Sequence, residues 1–488
     1  MRLPQHKTKI VATLGPASRS ATVVRRLLRA GVAVFRLNLS HGTEAEHRAT
    51  VERVRAAAAA EGRPVGLLMD LPGPKIRIGR LAAPSVLLKR GQSVLLHAGD
   101  RVGDAEHLYC PCKPLLRALR RGHRLYLADG TIQLAVEMAD GVSARCRVLV
   151  GGELRPGKGI SAPGVPLDLA TVTRRDRELI RLAAACGADL VSVSFVRRAA
   201  DIRQVRRLLD RAGSRARIVA KIERGEAVAA IDAILEEADG LMVARGDLGV
   251  ETPIAAVPIL QKRLIAAANR AGKPVITATQ MLDSMVANPR PTRAEVADIA
   301  NAILDGTDAV MLSDETAVGR YPVEAVRTMA AVARETEPTL PPGPPHRRLT
   351  DVARPTVTEA ISRGVAQAAA MLGVRAILTP THSGHTARSI ARQRPGTWIY
   401  AFSCDPVVCN CLMLSHGVWP FLRESAAVDP DELIAPLRAA RLLRRGDQVV
   451  LTWGRAVGRS GETYAMRVER VEGPARRRPA AGAAAREP

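Results

Sequence analysis

Short apolar runs recur along this chain and alternate with stretches of helical period. The strand-like runs are Lys9–Thr13, Ala33–Leu37, Val65–Asp70, Asp189–Ser194, Arg217–Ile222, Gly240–Ala244, Pro274–Thr279 and Ala309–Leu312. Helical patterns cover Ala21–Ala30, Glu44–Ala60, Arg174–Cys186, Ala199–Ala212, Ile254–Ala271 and Arg293–Leu304. Continuous apolar strands separated by helices predict a parallel sheet covered on both faces. Eight such units predict an α/β fold of the (β/α)8 TIM-barrel type. Two helix starts carry capping boxes, Thr43 with Glu46 and Thr292 with Glu295. There the Thr hydroxyl accepts from the third amide and the Glu reaches back. Pro289 and Pro291 fix an extended approach to the second.

The alternation breaks between Lys75 and Ala162. That stretch holds short β-like runs, Ser85–Leu88, Ser93–Leu96, Leu125–Leu127, Ile132–Met138 and Ala144–Leu149, and is expected to be a small all-β insertion after the third strand. The Pro-rich segment Glu337–Pro345 signals a linker. Beyond it, Ala376–Leu378, Trp398–Phe402 and Gln448–Thr452 again alternate with helical patterns. The expected partition is barrel in 1–73 and 163–337, insertion in 74–162, a C-terminal α/β domain in 338–473 and a disordered tail in 474–488.

Composition narrows the function classes. The 488 residues suggest roughly three domains, and 47% apolar residues suit a globular core. No window approaches about 18 uninterrupted apolar residues, so no membrane span is expected. The first residues lack a signal-peptide pattern, so the expected location is the cytoplasm. The seven cysteines are expected to be thiols, and Cys404, Cys409 and Cys411 lack the second pair that a zinc site needs. The net charge of +24 raises nucleic-acid binding. However, the arginines are spread along the chain and aromatics are 2%, too few for base-stacking platforms. No nucleic-acid partner is expected; the charge steers anionic substrates.

The active site of such a barrel lies at the C-terminal ends of its strands. Those ends carry Thr13 and Pro16, then Arg36, Asn38, Ser40 and His41, then Asp70 with Lys75 and Arg77, and then Ser194. They continue with Lys221 and Glu223, then Arg245, Gly246 and Asp247, then Thr279 and Gln280, and Glu315. Residues two apart in a strand share a face, so Lys221 and Glu223 point together. Glu223 and Asp247, from neighbouring strands, offer hard oxygens of the kind that bind Mg²⁺ together with substrate oxygens. The adjacent cationic side chains point to an anionic substrate and to phosphoryl or enolate chemistry. Gly152 to Lys158 nearly matches a P-loop, but Gly159 stands where the metal-binding hydroxyl belongs and Pro156 removes an amide.

At these residues the chain resembles the pyruvate kinase family. The matching segments are Thr8–Ser18, Arg36–Gly42, Lys221–Glu223, Val243–Gly249, Asn269–Pro274, Ala278–Leu282, Asn288–Glu295 and Ser313–Ala317, and the resemblance spans about residues 7 to 472. It implies a barrel, a small β-barrel lid inserted after strand 3 and a C-terminal α/β regulatory domain. It also implies Mg²⁺-dependent phosphoryl transfer from phosphoenolpyruvate to ADP, giving pyruvate and ATP. By position, Glu223 and Asp247 hold the Mg²⁺ or Mn²⁺, Lys221 neutralises the transferring phosphoryl group, and Arg36 clamps it. Thr279 and the amides of Gly246 and Asp247 orient the substrate carboxylate, with Ser194 also at the substrate. Thr279 is further placed in the proton relay to the enolate. Thr13, Asn38, His41 and Lys158 face the nucleotide.

One departure concerns the monovalent cation. Many members carry a glutamate where this chain has Lys75, and need K⁺. The expectation is that the Lys75 ammonium replaces K⁺ beside Asn38, Ser40, Asp70 and Leu71, so that K⁺ is not required. In the C-terminal region Thr381, Ser383 and Thr386 resemble the family's loop for a sugar-phosphate effector, so an anionic metabolite is an expected regulator; the family is usually a homotetramer. The nearest rival reading is a metal-dependent pyruvate-enolate aldolase on the same barrel.

Overall fold

The computed structural model describes residues 3–167, 169–341, 343, 355–424, 429–454 and 463–472. They fall into two compact units, one from residue 4 through the barrel and insertion together with Asn410–His416, the other the remaining C-terminal residues.

In the first unit eight parallel strands close into a barrel. They are strand 1 (Lys9–Leu14), strand 2 (Val32–Asn38), strand 3 (Gly66–Leu71), strand 4 (Leu190–Val193), strand 5 (Arg217–Ile222), strand 6 (Gly240–Ala244), strand 7 (Val275–Ala278) and strand 8 (Ala309–Leu312). Each pairs with its sequence neighbour and strand 8 pairs with strand 1 in register Lys9 to Ala309. Strands 1, 3, 4, 6, 7 and 8 are buried along their whole length, which is why they read as unbroken apolar runs. Both expected capping boxes form: Thr43 and Thr292 each accept from the third amide at 3.3 Å, and Glu46 and Glu295 return the bond. The helical stretch expected from Ile254 begins as a 3-10 turn, Ile254–Ala256, before the α-helix Val257–Ala271, since Pro258 at its start favours an initial position.

The insertion forms a six-stranded mixed sheet and a two-stranded sheet, Val86–Leu88 with Gly152–Leu154. It also contains a helix, Lys113–Ala118, so it is not all β; Pro114 in its first turn starts it. Its hairpin between Arg124–Leu127 and Ile132–Ala139 turns through Ala128 and Asp129, both at positive φ. The front of the Pro-rich segment is ordered as a 3-10 turn, Glu337–Thr339. The Glu337 carboxylate accepts the amides of Lys7 and Thr8 at 2.8 and 2.6 Å. Residues 342, 344 and 345 of that segment, and the 474–488 tail, lie outside the described residues.

The second unit holds a five-stranded sheet in the order Val418–Leu422, Trp398–Ser403, Ala376–Pro380, Gln448–Trp453, Ala465–Arg470. Only the last pair is antiparallel. Among the described residues no helix is long and apolar enough to cross a membrane.

Candidate active site

Four charged side chains, from strands 2, 3 and 5 and the residue after strand 5, meet at the C-terminal mouth of the barrel. Arg36 donates to Asp70 Oδ2 from Nε at 2.8 Å and from Nη2 at 2.6 Å. Its Nη1 donates to Thr13 Oγ1 at 3.0 Å. Asp70 Oδ1 accepts from Ser192 at 2.6 Å. Lys221 Nζ lies 2.8 Å from Glu223 Oε1 and 3.5 Å from Asp70 Oδ2, and donates to Ser194 Oγ at 2.7 Å. Glu223 Oε2 accepts the Phe195 amide at 2.6 Å. Asp70 and Glu223 are each 1% exposed.

Burial alone penalises each of these charges, so the partners decide the ionisation. Burial works to raise the Asp70 carboxyl, but Lys221 and Arg36 outweigh it and hold it below its ordinary range. Burial works to lower the Lys221 ammonium, and Asp70 and Glu223 overcome that and hold it above. Burial raises the Glu223 carboxyl against the pull of Lys221, and the like charge of Asp247 adds to the rise.

Glu223 and Asp247 follow neighbouring strands 5 and 6, which pair in register Ile222 to Val243. Each leans on an ammonium, Glu223 on Lys221 and Asp247 on Lys75 at 3.2 Å. Among the described residues no group of three or more His, Cys, Asp and Glu could hold a metal. Two carboxylate side chains are hard oxygen donors of the kind a divalent ion such as Mg²⁺ takes from protein.

Strands 6 and 7 supply the opposite wall. Thr279 Oγ1 accepts the Gly246 amide at 2.8 Å and lies 2.6 Å from the Ala278 carbonyl. Arg245 is committed to protein partners: it donates to Asp298 at 2.6 Å and to the Thr279 carbonyl at 2.6 Å. Glu315 is buried under the neighbouring loop, accepting the amides of Leu282 at 3.1 Å and Ser313 at 2.6 Å, so its work is structural.

Beside Arg36 opens a cavity of about 620 Å³, lined among others by Thr13, Pro16, Asn38, His41, His47 and Val318. Of the four nucleotide-facing candidates it gathers Thr13, Asn38 and His41. The Thr13 hydroxyl is committed, donating to Leu312 O at 2.9 Å and accepting from Arg36. Sequence reasoning did not find this bond, because Thr13 and Arg36 are on adjacent strands paired in register. Lys158 is exposed on the lid, in the segment that pairs with Arg77 and Ile78.

Of the monovalent-cation candidates, Asn38 and Asp70 are register partners on strands 2 and 3, and the Asp70 carbonyl accepts the Leu39 amide at 3.0 Å. Asn38 Oδ1 accepts the Ser40 amide at 3.1 Å, and the Leu71 carbonyl accepts from Ser194 at 2.7 Å. Lys75 pairs with Asp247 at 3.2 Å and with Asp129 of the lid at 3.7 Å, and not with Asp70. In the second unit Thr381 Oγ1 accepts the Gly384 amide at 3.0 Å, Thr386 bonds Thr463 at 2.8 Å, and the Ser383 carbonyl accepts from Arg388 at 3.2 Å.

Comparison with known proteins agrees with this geometry over most of the chain. Residues 5–326 match the family model described as pyruvate kinase, barrel domain, and residues 359–469 match pyruvate kinase, alpha/beta domain. A protein named pyruvate kinase from Thermococcus litoralis is 44% identical over 475 residues, covering 96% of this chain and 100% of that protein. One from Geobacillus stearothermophilus is 44% identical, covering 95% of this chain and 80% of that protein. One from Mycobacterium tuberculosis is 40% identical, covering 95% and 98%.

Proposed function

Since the chain belongs to the pyruvate kinase family, we propose that the charge cluster at the barrel mouth is its phosphoryl-transfer site. The enzyme is a phosphotransferase that moves the phosphoryl group of phosphoenolpyruvate to ADP, giving pyruvate and ATP, in glycolysis. The observation that carries the site assignment is Lys221 Nζ, a partly buried ammonium held between Ser194, Glu223 and Asp70 beside Arg36.

Phosphoryl transfer passes through a loose anionic transition state, so catalysis is mostly positioning and charge stabilisation. Arg36, aimed by Asp70 and Thr13, clamps the phosphoryl oxygens. Lys221 balances charge on the same group and on the enolate left behind. The amides of Gly246 and Asp247 and the Thr279 hydroxyl orient the substrate carboxylate, and Thr279 belongs to the proton relay to the enolate. Glu223 and Asp247 hold the divalent ion, Mg²⁺ or Mn²⁺, which supplies charge neutralisation and orients phosphate and carboxylate oxygens when bound. ADP occupies the cavity of Thr13, Asn38 and His41, with Lys158 approaching from the lid. The barrel, lid and C-terminal domain are divided as the sequence partition places them.

Lys75 carries the proposal that K⁺ is not needed. Asp70 already has its charge met by Arg36 and Lys221, and Lys75 adds a fixed ammonium at Asp247. The loop of Thr381, Ser383 and Thr386 is proposed to take the phosphate of an anionic metabolite. The working form is proposed to be a cytoplasmic homotetramer.

The test is a coupled assay of pyruvate release from phosphoenolpyruvate and ADP, with Lys221→Met as control. Loss of positioned charge is expected to cost roughly 3–4 kcal/mol of barrier. A Lys221→Met enzyme within tenfold of the parent overturns the assignment, and absence of ATP formation from phosphoenolpyruvate and ADP by the parent favours the aldolase.

A further inference from the structure

Both connections of the lid and the proposed metal ligand meet on one turn. That turn, Ser194–Arg197, follows strand 4. Its Phe195 amide donates to Glu223 Oε2 at 2.6 Å. Its Ser194 hydroxyl receives Lys221 and donates to the Leu71 carbonyl, both at 2.7 Å. The outgoing connection presses on the same turn: a Cβ at Gly73 would stand 3.1 Å from the Phe195 ring and 3.1 Å from the Ser194 carbonyl oxygen. The returning connection is gripped by Arg197. Its Nη1 donates to Leu167 O at 3.0 Å, and its Nη2 to Leu169 O at 2.7 Å and Thr171 Oγ1 at 3.4 Å. From the other side Asp201, 5% exposed, accepts the amides of Arg197 at 2.9 Å and Arg198 at 3.2 Å. Phe195 sits at φ 55°, an uncommon conformation for a bulky side chain, so the turn is held by its surroundings rather than by its own preference.

We propose that Arg197 is a positioning residue that couples the place of the lid to the aim of the Glu223 carboxylate. A guanidinium is a planar fork whose N–H groups reach several acceptors at once in a fixed geometry. Anchored on Leu167 and Leu169, it ties the returning connection to the backbone two residues beyond the Phe195 amide. That amide orients Glu223, and the adjoining hydroxyl orients Lys221. A shift of the returning connection is thereby transmitted to both groups. The proposal rests on the reading of Glu223 as a ligand of the divalent ion. Partners that orient a metal ligand typically change affinity by about 10- to 100-fold when removed.

The experiment measures Mn²⁺ binding to the full-length protein without substrate, by the electron paramagnetic resonance signal of free Mn²⁺, alongside hydrogen exchange. The variants are Arg197→Met, Arg197→Lys and Glu223→Gln. Arg197→Met is expected to weaken Mn²⁺ roughly tenfold and to speed exchange in peptides covering 163–172 and 194–197 together. Arg197→Lys, which keeps charge and stem, is expected to fall between Met and the parent, and it carries the test alone if the Met variant does not fold. Faster exchange confined to 163–172 with Mn²⁺ affinity unchanged overturns the coupling and leaves Arg197 as a local clamp. Glu223→Gln is expected to abolish the tight Mn²⁺ site. If it binds Mn²⁺ like the parent, the metal reading fails and the proposal fails for that separate reason.

Discussion

Asp70→Asn tests whether the buried carboxylate aims Arg36 or merely fills space. The substitution keeps shape and most hydrogen bonds. An amide oxygen facing Arg36 still accepts from Nε and Nη2, which lie at 2.8 and 2.6 Å in the parent. The amide nitrogen then faces Ser192, whose hydroxyl can turn to accept. What is lost is the charge. Hydrogen bonds to a charged partner contribute about 1.5–3 kcal/mol against about 0.5–1.5 for neutral ones, so two weakened bonds amount to roughly 2–3 kcal/mol. If the transition state draws on that aim, kcat falls roughly 30- to 150-fold. The KM for phosphoenolpyruvate is expected not to rise. Arg36, Asp70, Lys221 and Glu223 carry no net charge as ionised groups, and removing Asp70 leaves them at +1, which attracts the anionic substrate. The assay is steady-state kinetics with varied phosphoenolpyruvate, with circular dichroism to check the fold. A kcat within threefold of the parent, or a loss appearing only in KM, refutes the reasoning.

Further outcomes follow from other sites. The parent enzyme is expected to turn over equally in K⁺ and in tetramethylammonium, and Lys75→Glu to bring in K⁺ dependence; strong K⁺ activation of the parent rejects the Lys75 proposal. Thr279→Val keeps the side-chain shape but removes the acceptor of the Gly246 amide at 2.8 Å and the hydroxyl of the proposed proton relay, so kcat should fall by roughly 100-fold or more. Lys9 is fully buried, and burial, reinforced by Arg63, pushes its ammonium down to about 7 against the attraction of Glu337 and Asp308. Between that value and the ordinary one near 10.5 the unfolded chain binds the extra proton, so stability rises with pH across this window and is flat below it. Lys9→Met should therefore stabilise by a few kcal/mol at pH 6 and by little at pH 10, read from denaturant midpoints. For the thiols, burial pushes Cys110, Cys146 and Cys409 up to about 12, while Cys404 is exposed. Mass spectrometry after brief iodoacetamide treatment should find Cys404 modified first and those three protected.

The barrel was legible because its strands are buried on both faces and leave unbroken apolar runs. Arg217–Ile222, Gly240–Ala244 and Ala309–Leu312 have the bounds read from sequence. The short helices Gly225–Ala229 and Ile231–Glu237 escaped, since neither has a side-chain cap and each spans too few residues to show a period. The lid strand His107–Cys110 escaped for the same want of length. At the site, sequence supplied the charged strand ends but not their pairing. Asp70 accepts from Arg36, a contact between residues 34 apart that no sequence spacing announces. Phe195 could not be found at all, because its contribution is a backbone amide, and every residue but proline has one.

Three non-glycine residues at this mouth occupy the left-handed region: Phe195 at φ 55°, Thr279 at 71° and Gln280 at 54°. A glycine at each would remove a cost of about 1–3 kcal/mol. At Thr279 glycine would also remove the hydroxyl that receives the Gly246 amide, so the strained conformation and the needed group are inseparable. Phe195 is different, since its amide would survive the change. What glycine would lose there is the ring against Gly73, the contact by which the outgoing lid connection bears on the turn. The two strained turns thus hold opposite walls of one site, Glu223 and Lys221 on one side and Gly246 on the other. A barrel of rigid strands fixes where these walls start, and the strained turns fix where their polar atoms point. Geometry of that kind pre-organises charge for an anionic transition state at a cost the large buried core around it can absorb.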